Sequence, residues 1–240
     1  MKKIFAYILL AGLGYSLHAQ KTINDPNAQK RNVSGYHGVA VSGDIELFLT
    51  QGNEESVAVS ANEVKYRDKI ITEVKNGILQ IHLENKNGLH IDWGPSSRKL
   101  RAYVSVKDID ELSTSGSGKV HIEGTLKSPE LDLSSSGSGN VNGDVAVTEL
   151  AISTSGSANI DLSGKSEKTD IHVSGSGNIR GYELVNETCK ISISGSGNVR
   201  TSVNKEVTAH ISGSGNVSIK GNGVVKDFTS SGSGKIHREN

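Results

Sequence analysis

The segment Ser-Gly-Ser-Gly, once Ser-Gly-Ser-Ala, occurs seven times in this chain of 240 residues, with its first glycine at Gly116, Gly137, Gly156, Gly175, Gly195, Gly213 and Gly232. The successive intervals are 21, 19, 19, 20, 18 and 19 residues. A period of this size is the mark of a stacked repeat, in which each unit buries its apolar side only against its neighbours. Flexible linkers are also rich in serine and glycine, so the flanking residues have to discriminate. Four residues before each first glycine stand Leu112, Leu133, Ile152, Ile171, Ile191, Ala209 and Phe228, and four residues after it Val120, Val141, Ile160, Ile179, Val199, Val217 and Ile236. Two residues before it stand Thr114, Ser135, Thr154, Val173, Ile193, Ile211 and Ser230. Apolar or β-branched residues at even offsets are the signature of strands with one buried face.

One strand segment per repeat leaves no room for the crossover helix that a doubly wound parallel sheet needs. A coil satisfies the spacing, because equivalent residues of successive coils then stack at about 4.8 Å and the apolar columns become walls of a narrow core. The predicted fold is all-β: a right-handed, single-stranded parallel β-helix, preceded by a less regular N-terminal β region that contains a hairpin. On this register the glycines face inward, which predicts a tight corner or a close approach of backbone to the opposite wall.

The odd offsets give the outward surface. Ser136, Ser155, Ser174, Ser194 and Ser212 form one serine row and Ser138, Ser157, Ser176, Ser196 and Ser214 a second. Together they are expected to make a flat, neutral face able to meet a glycan or an envelope protein. Beside them runs an asparagine column of Asn140, Asn159, Asn178, Asn198 and Asn216, with Lys119 and Lys235 in the first and last copies. Stacked amides can hydrogen-bond along the axis, whereas stacked like charges repel. The two lysines are therefore read as marks of capping coils.

The N-terminal half shows the same alternation less regularly. Val39 to Leu47 contains Ser42-Gly43-Asp44-Ile45, a partial copy of the repeat and a candidate first coil. Ile71 to Val74 and Ile78 to Leu83 flank Asn76-Gly77, a strong hairpin signal. Turns or loops are expected at Asn87-Gly88 and from Trp93 to Pro95. Met1-Lys2-Lys3, an apolar stretch to Tyr15 and Leu17-His18-Ala19 predict a secretory leader cleaved after Ala19. The organisation read from sequence is a leader over 1–19, a linker over 20–32, an irregular β region over 33–112 and the seven-repeat solenoid over 113–240.

Function is constrained mainly by exclusion. Lysine plus arginine and aspartate plus glutamate are 26 each, giving zero formal charge, and no basic run interleaves with aromatics, so nucleic acid is not an expected partner. The glycine spacing misses the dinucleotide fingerprint by one residue. No Gly-x-Ser-x-Gly elbow exists, and no histidine and aspartate columns accompany the serines. His172 and His210 are expected to be solvated surface residues. Cys189 is the only cysteine and is read as a small core residue. No cofactor, metal or catalytic residue is expected.

The segment from Val33 to Ser42, the following Ile45 to Gly52 and the Ser-Gly-Ser-Gly-Asn-Ile/Val coils resemble the exported bacterial family known as "putative auto-transporter adhesin, head GIN domain". The resemblance spans about Asn32 to His237 and implies a β-helical fold, an envelope location and adhesion-type binding, with no catalytic residues to carry over. The last repeat runs to Asn240, so no C-terminal membrane barrel is expected. The expected function is an exported, non-enzymatic solenoid of the envelope, periplasmic or at the cell surface, serving as an adhesin-like or structural binding module. The alternatives are an envelope-stress or signalling scaffold and a β-helix carbohydrate-active enzyme.

Overall fold

The computed structural model describes residues 25–84 and 98–239. The leader predicted over 1–19 and the turns predicted at Asn87-Gly88 and Trp93 to Pro95 lie outside the described residues. Among these residues sixteen strands form one continuous sheet, and the single helix is the four-residue turn Val64–Arg67. The strands Lys119–Gly137, Asn140–Gly156, Asn159–Gly175, Asn178–Gly195 and Asn198–Gly213 each trace a whole coil. Consecutive coils pair in parallel, so the protein is a β-solenoid as its period requires.

The apolar columns stack residue upon residue. Leu47, Val120, Val141, Ile160, Ile179, Val199 and Val217 form one continuous row in register, and all are buried. Val39, Leu112, Leu133, Ile152, Ile171, Ile191 and Ala209 form a second. Burial of each large aliphatic side chain contributes about 1.5–3 kcal/mol, and the repeat places one at the same point of every coil. The last coil differs. Phe228 continues the second row but remains 36% exposed, because no described coil lies beyond it.

Gly38–Gly43 and Glu46–Gln51 form a first coil beneath the repeats, with Gly43 in register with Gly116 and Glu46 with Lys119. The reading of Lys119 as an end cap is therefore corrected: its coil has a neighbour on both sides, with Glu46 in register beneath it and Asn140 above it. The far side of this first coil is covered by Arg101–Val106 and Ile78–Leu83, in parallel. Antiparallel strands then close that end, Ser56–Ser60 and Gln29–Arg31 on one side and Ile70–Lys75 on the other. Antiparallel closure consumes the parallel edge, a common protection against unwanted strand addition. Gln29–Arg31 lies within the stretch read as a linker, which is thus partly ordered sheet. The hairpin forms where Asn76-Gly77 predicts it, with positive φ of 53° and 79° at the two turn residues.

Cys189 packs in the core, and burial pushes its thiol up to about 12. The thiolate is the reactive species, so alkylation by iodoacetamide at pH 8 is expected to be negligible in the native protein and complete in denaturant; mass spectrometry of the intact chain reads the difference.

Candidate binding groove on the serine rows

The glycines build the corner that positions the serines. The first glycine of every repeat has φ between +106° and +138°, the left-handed region that glycine enters without strain. From Gly116 to Gly195 its carbonyl accepts the amide of the serine that follows the glycine in the next coil, as in Ser157 N–H to Gly137 O at 2.8 Å and Ser176 N–H to Gly156 O at 2.8 Å. A Cβ on Gly175 would lie 2.6 Å from Gly156 O, so the missing side chain points along the axis and not into the core. The second glycine is the inward one: a Cβ on Gly177 would meet Thr154 Oγ1 at 2.9 Å. The single exception, Ala158, is itself fully buried.

A turn between the two serines separates their rows. Ser136, Ser155, Ser174, Ser194 and Ser212 are exposed along one side of the corner, whereas Ser138, Ser157, Ser176, Ser196 and Ser214 are exposed on the next side. The single flat face expected from sequence is therefore two surfaces. The first row, extended by Ser115 and Ser231, lines a groove of about 830 Å³ that runs along seven coils. Its other wall is a row the sequence reading did not single out: Ser113, Ser134, Ser153, His172, Ser192, His210 and Thr229. The signal was available, since these residues stand at an odd offset and four of the seven are serine.

Hydroxyls in the groove have few internal partners. Ser134 Oγ donates to Ser113 Oγ at 3.0 Å, and His210 Nδ1 lies 2.5 Å from Thr229 Oγ1. His172 Nε2 stands 3.1 Å from Asp170 Oδ1. The lining offers two imidazoles and no carboxylate. Among the described residues no group of three or more histidine, cysteine, aspartate or glutamate side chains is placed to hold a metal ion.

On the adjacent side the asparagines form a ladder. Asn159 Nδ2 donates to Asn140 Oδ1 at 3.1 Å, Asn178 to Asn159 at 3.2 Å, Asn198 to Asn178 at 3.0 Å and Asn216 to Asn198 at 3.2 Å. Every amide points the same way, so the dipoles add and the free carbonyl end is at Asn216, next in register to Lys235. The column two residues further on holds Tyr103, Phe48 and His121 at the N-terminal end, stacked with centroids 5.2 and 5.0 Å apart.

A parallel solenoid whose outer surface is built from ladders of short polar side chains belongs to the class of repeat proteins that present an extended surface. The chain belongs to the family described as "putative auto-transporter adhesin, head GIN domain", whose model matches residues 35–223. A crystal structure of a "putative adhesin" from Bacteroides fragilis is 20% identical, with a TM-score of 0.80 over 88% of this chain and 96% of that one. A "putative lipid binding protein" from Parabacteroides distasonis is 22% identical, with a TM-score of 0.69 over 91% and 98%. A "putative adhesin" from Parabacteroides merdae is 19% identical, with a TM-score of 0.58 over 89% and 95%. At these identities the likeness establishes the fold. No curated protein matches the chain. No helix among the described residues is long and apolar enough to cross a membrane.

Proposed function

We propose that this protein is an exported, non-enzymatic binding module of the bacterial envelope, and that the groove along the serine rows holds an extended, neutral glycan. The observation that carries this reading is the groove itself: two walls of mostly hydroxyl side chains, repeated every coil over seven coils, with few internal hydrogen bonds. Hydroxyls at a constant interval of about 4.8 Å suit a ligand that is itself a linear repeat. Family membership supports binding of the adhesion type. A hydrolase would use a pair of carboxyl groups across the scissile bond, and the groove lining has none. The name of the P. distasonis relative suggests lipid instead. Against this, most of the lining side chains carry hydroxyls, and the aliphatic side chains of Val173, Ile193 and Ile211 are buried in the core.

The test is a glycan array probed with the purified mature protein. Wild type is expected to bind neutral polysaccharides, and a Ser155→Val, Ser174→Val, Ser194→Val variant to lose about tenfold or more in affinity, the size of one to two neutral hydrogen bonds. Equal binding by this variant, or no binding by wild type, removes the groove from the account. Protease accessibility on intact cells distinguishes the cell surface from the periplasm, and N-terminal sequencing of the secreted form checks cleavage after Ala19.

A further inference from the structure

A second depression, of about 540 Å³, lies around the corner from the groove, on the asparagine face at its C-terminal end. Its residues form a small lattice of three coils. The lower coil gives Asn198 and Arg200, the middle one Asn216 and Ser218, and the upper one Lys235 and His237. Short neutral side chains thus occupy the centre while long nitrogen-bearing ones stand on the coils above and below. Two coil spacings separate Arg200 from His237 in the same column, about 10 Å between backbones, a gap that the side chains can close around one small group.

The cations here are unspent. The arginines Arg31, Arg67, Arg98, Arg101, Arg180 and Arg238 each have a carboxylate or carbonyl partner. Arg200 has no hydrogen-bond or ion-pair partner among the described residues, and neither has Lys235. Arg200 also stacks in register on Arg180, a like-charge juxtaposition that the fold does not require and that opposes stability. Asp161 offsets Arg180 at 3.9 Å from the other side, whereas Arg200 has no carboxylate within ion-pair distance and feels only the longer-range charge of Glu239. One carboxylate does stand at the rim. Glu239 is held below the usual carboxylate range by the neighbouring Tyr182 hydroxyl, and then by Ser218, Lys220 and Arg200, so the local field already favours an anion.

We propose that this depression is a binding site for an oxyanion group, sulfate, phosphate or carboxylate, carried on an acidic glycan. Arg200 and Lys235 supply charge-assisted hydrogen bonds from opposite sides, and the free N–H of the Asn216 amide supplies a neutral one. The rest of the sugar lies along the asparagine ladder, whose amides suit hydroxyl groups. None of the exposed large apolar side chains, Val64, Val185, Val224, Val225 and Phe228, is in the lining, which favours a sugar over a lipid as the carrier. This site stands independently of the serine groove and uses a different side of the solenoid.

The experiment measures binding of the full mature protein to dextran sulfate, to neutral dextran, to inorganic sulfate and to phosphatidylcholine vesicles with and without phosphatidylglycerol. The variants are Arg200→Gln, Lys235→Gln and, as a charge control on an exposed lysine elsewhere, Lys165→Gln, each checked for an unchanged melting midpoint. Dextran sulfate is expected to bind, with inorganic sulfate competing, and Arg200→Gln and Lys235→Gln each to weaken it about tenfold while Lys165→Gln leaves it unchanged. Equal losses in all three variants would reduce the effect to overall charge and overturn the site. Binding to anionic vesicles without dextran sulfate binding would overturn the glycan as carrier. The serine-to-valine groove variant is expected to bind dextran sulfate normally, so failure of either proposal is visible on its own.

Discussion

Gly175→Ala is expected to lower the thermal midpoint by about 6–12 °C, corresponding to a loss of about 3 kcal/mol or more. Two effects combine at this residue. Alanine must adopt φ of +110°, and its Cβ must occupy a point 2.6 Å from Gly156 O, the carbonyl that accepts the Ser176 amide. Either the corner hydrogen bond lengthens or the coils move apart, and the apolar rows on both sides separate with them. Gly43→Ala isolates the first effect. Gly43 has φ of +87° in the first coil, and nothing lies within 4 Å of its would-be Cβ, so only backbone strain of about 1–2 kcal/mol is expected there. Calorimetry of the two variants side by side reads the difference; equal midpoints would mean that the glycine column does not hold the coils at their spacing.

The second large effect is expected inside the core. Asn186 is fully buried in an inward column between Ser166 and Val203. Its Nδ2 donates to Leu184 O at 3.0 Å, Thr201 Oγ1 at 2.9 Å and Ser202 O at 3.0 Å, and its Oδ1 accepts from Thr169 Oγ1 at 2.5 Å. The register between these coils slips on both sides of this residue, and the slip leaves carbonyls facing inward without strand partners. The amide satisfies them. Asn186→Leu keeps the volume but strands two carbonyls and two hydroxyls, and a loss of about 3 kcal/mol or more is expected in urea unfolding. Thr154→Val, equally buried, should act in the opposite sense: Thr154 Oγ1 has no hydrogen-bond partner, so replacing it with a methyl group is expected to be neutral or stabilising by up to about 1 kcal/mol. If both variants destabilise equally, the Asn186 network is not what holds the slipped coils.

Much of this architecture is legible because the repeat reports the same fact seven times. Val141, Ile160 and Ile179 occupy one buried row because one offset specifies one environment, and the asparagine ladder follows from the same register. What escaped the reading did so where period-two reasoning stops. The alternation rule treats the serines on either side of Gly156 as facing one way, but it holds for an extended strand, and a glycine with φ of +108° turns the chain between them. Lys119 was misplaced because the coil beneath it carries only Ser42-Gly43 of the motif, and its outward residues, Glu46 and Phe48, do not match the later columns. Arg200 escaped because a charged residue at an odd offset is ordinary; only the stacking on Arg180 and the lack of a carboxylate within ion-pair distance make it unusual. Asn186 lies in the least regular part of its repeat, where the slip in pairing has no sequence signature.

The closure of the N-terminal end has a temporal consequence. Glu46–Gln51 lies between Arg101–Val106 and Lys119–Gly137, so the earliest of these three strands is sandwiched by partners that emerge much later in a chain delivered from its N-terminus. Each later coil, by contrast, needs only the one synthesised just before it. The repeats can therefore zip up as they emerge, whereas the head waits as an unpaired, partly apolar segment until roughly half the chain has emerged. Contacts so distant in sequence are slow to form and leave strand edges open meanwhile, which makes residues 38–60 the segment for which a chaperone has most use.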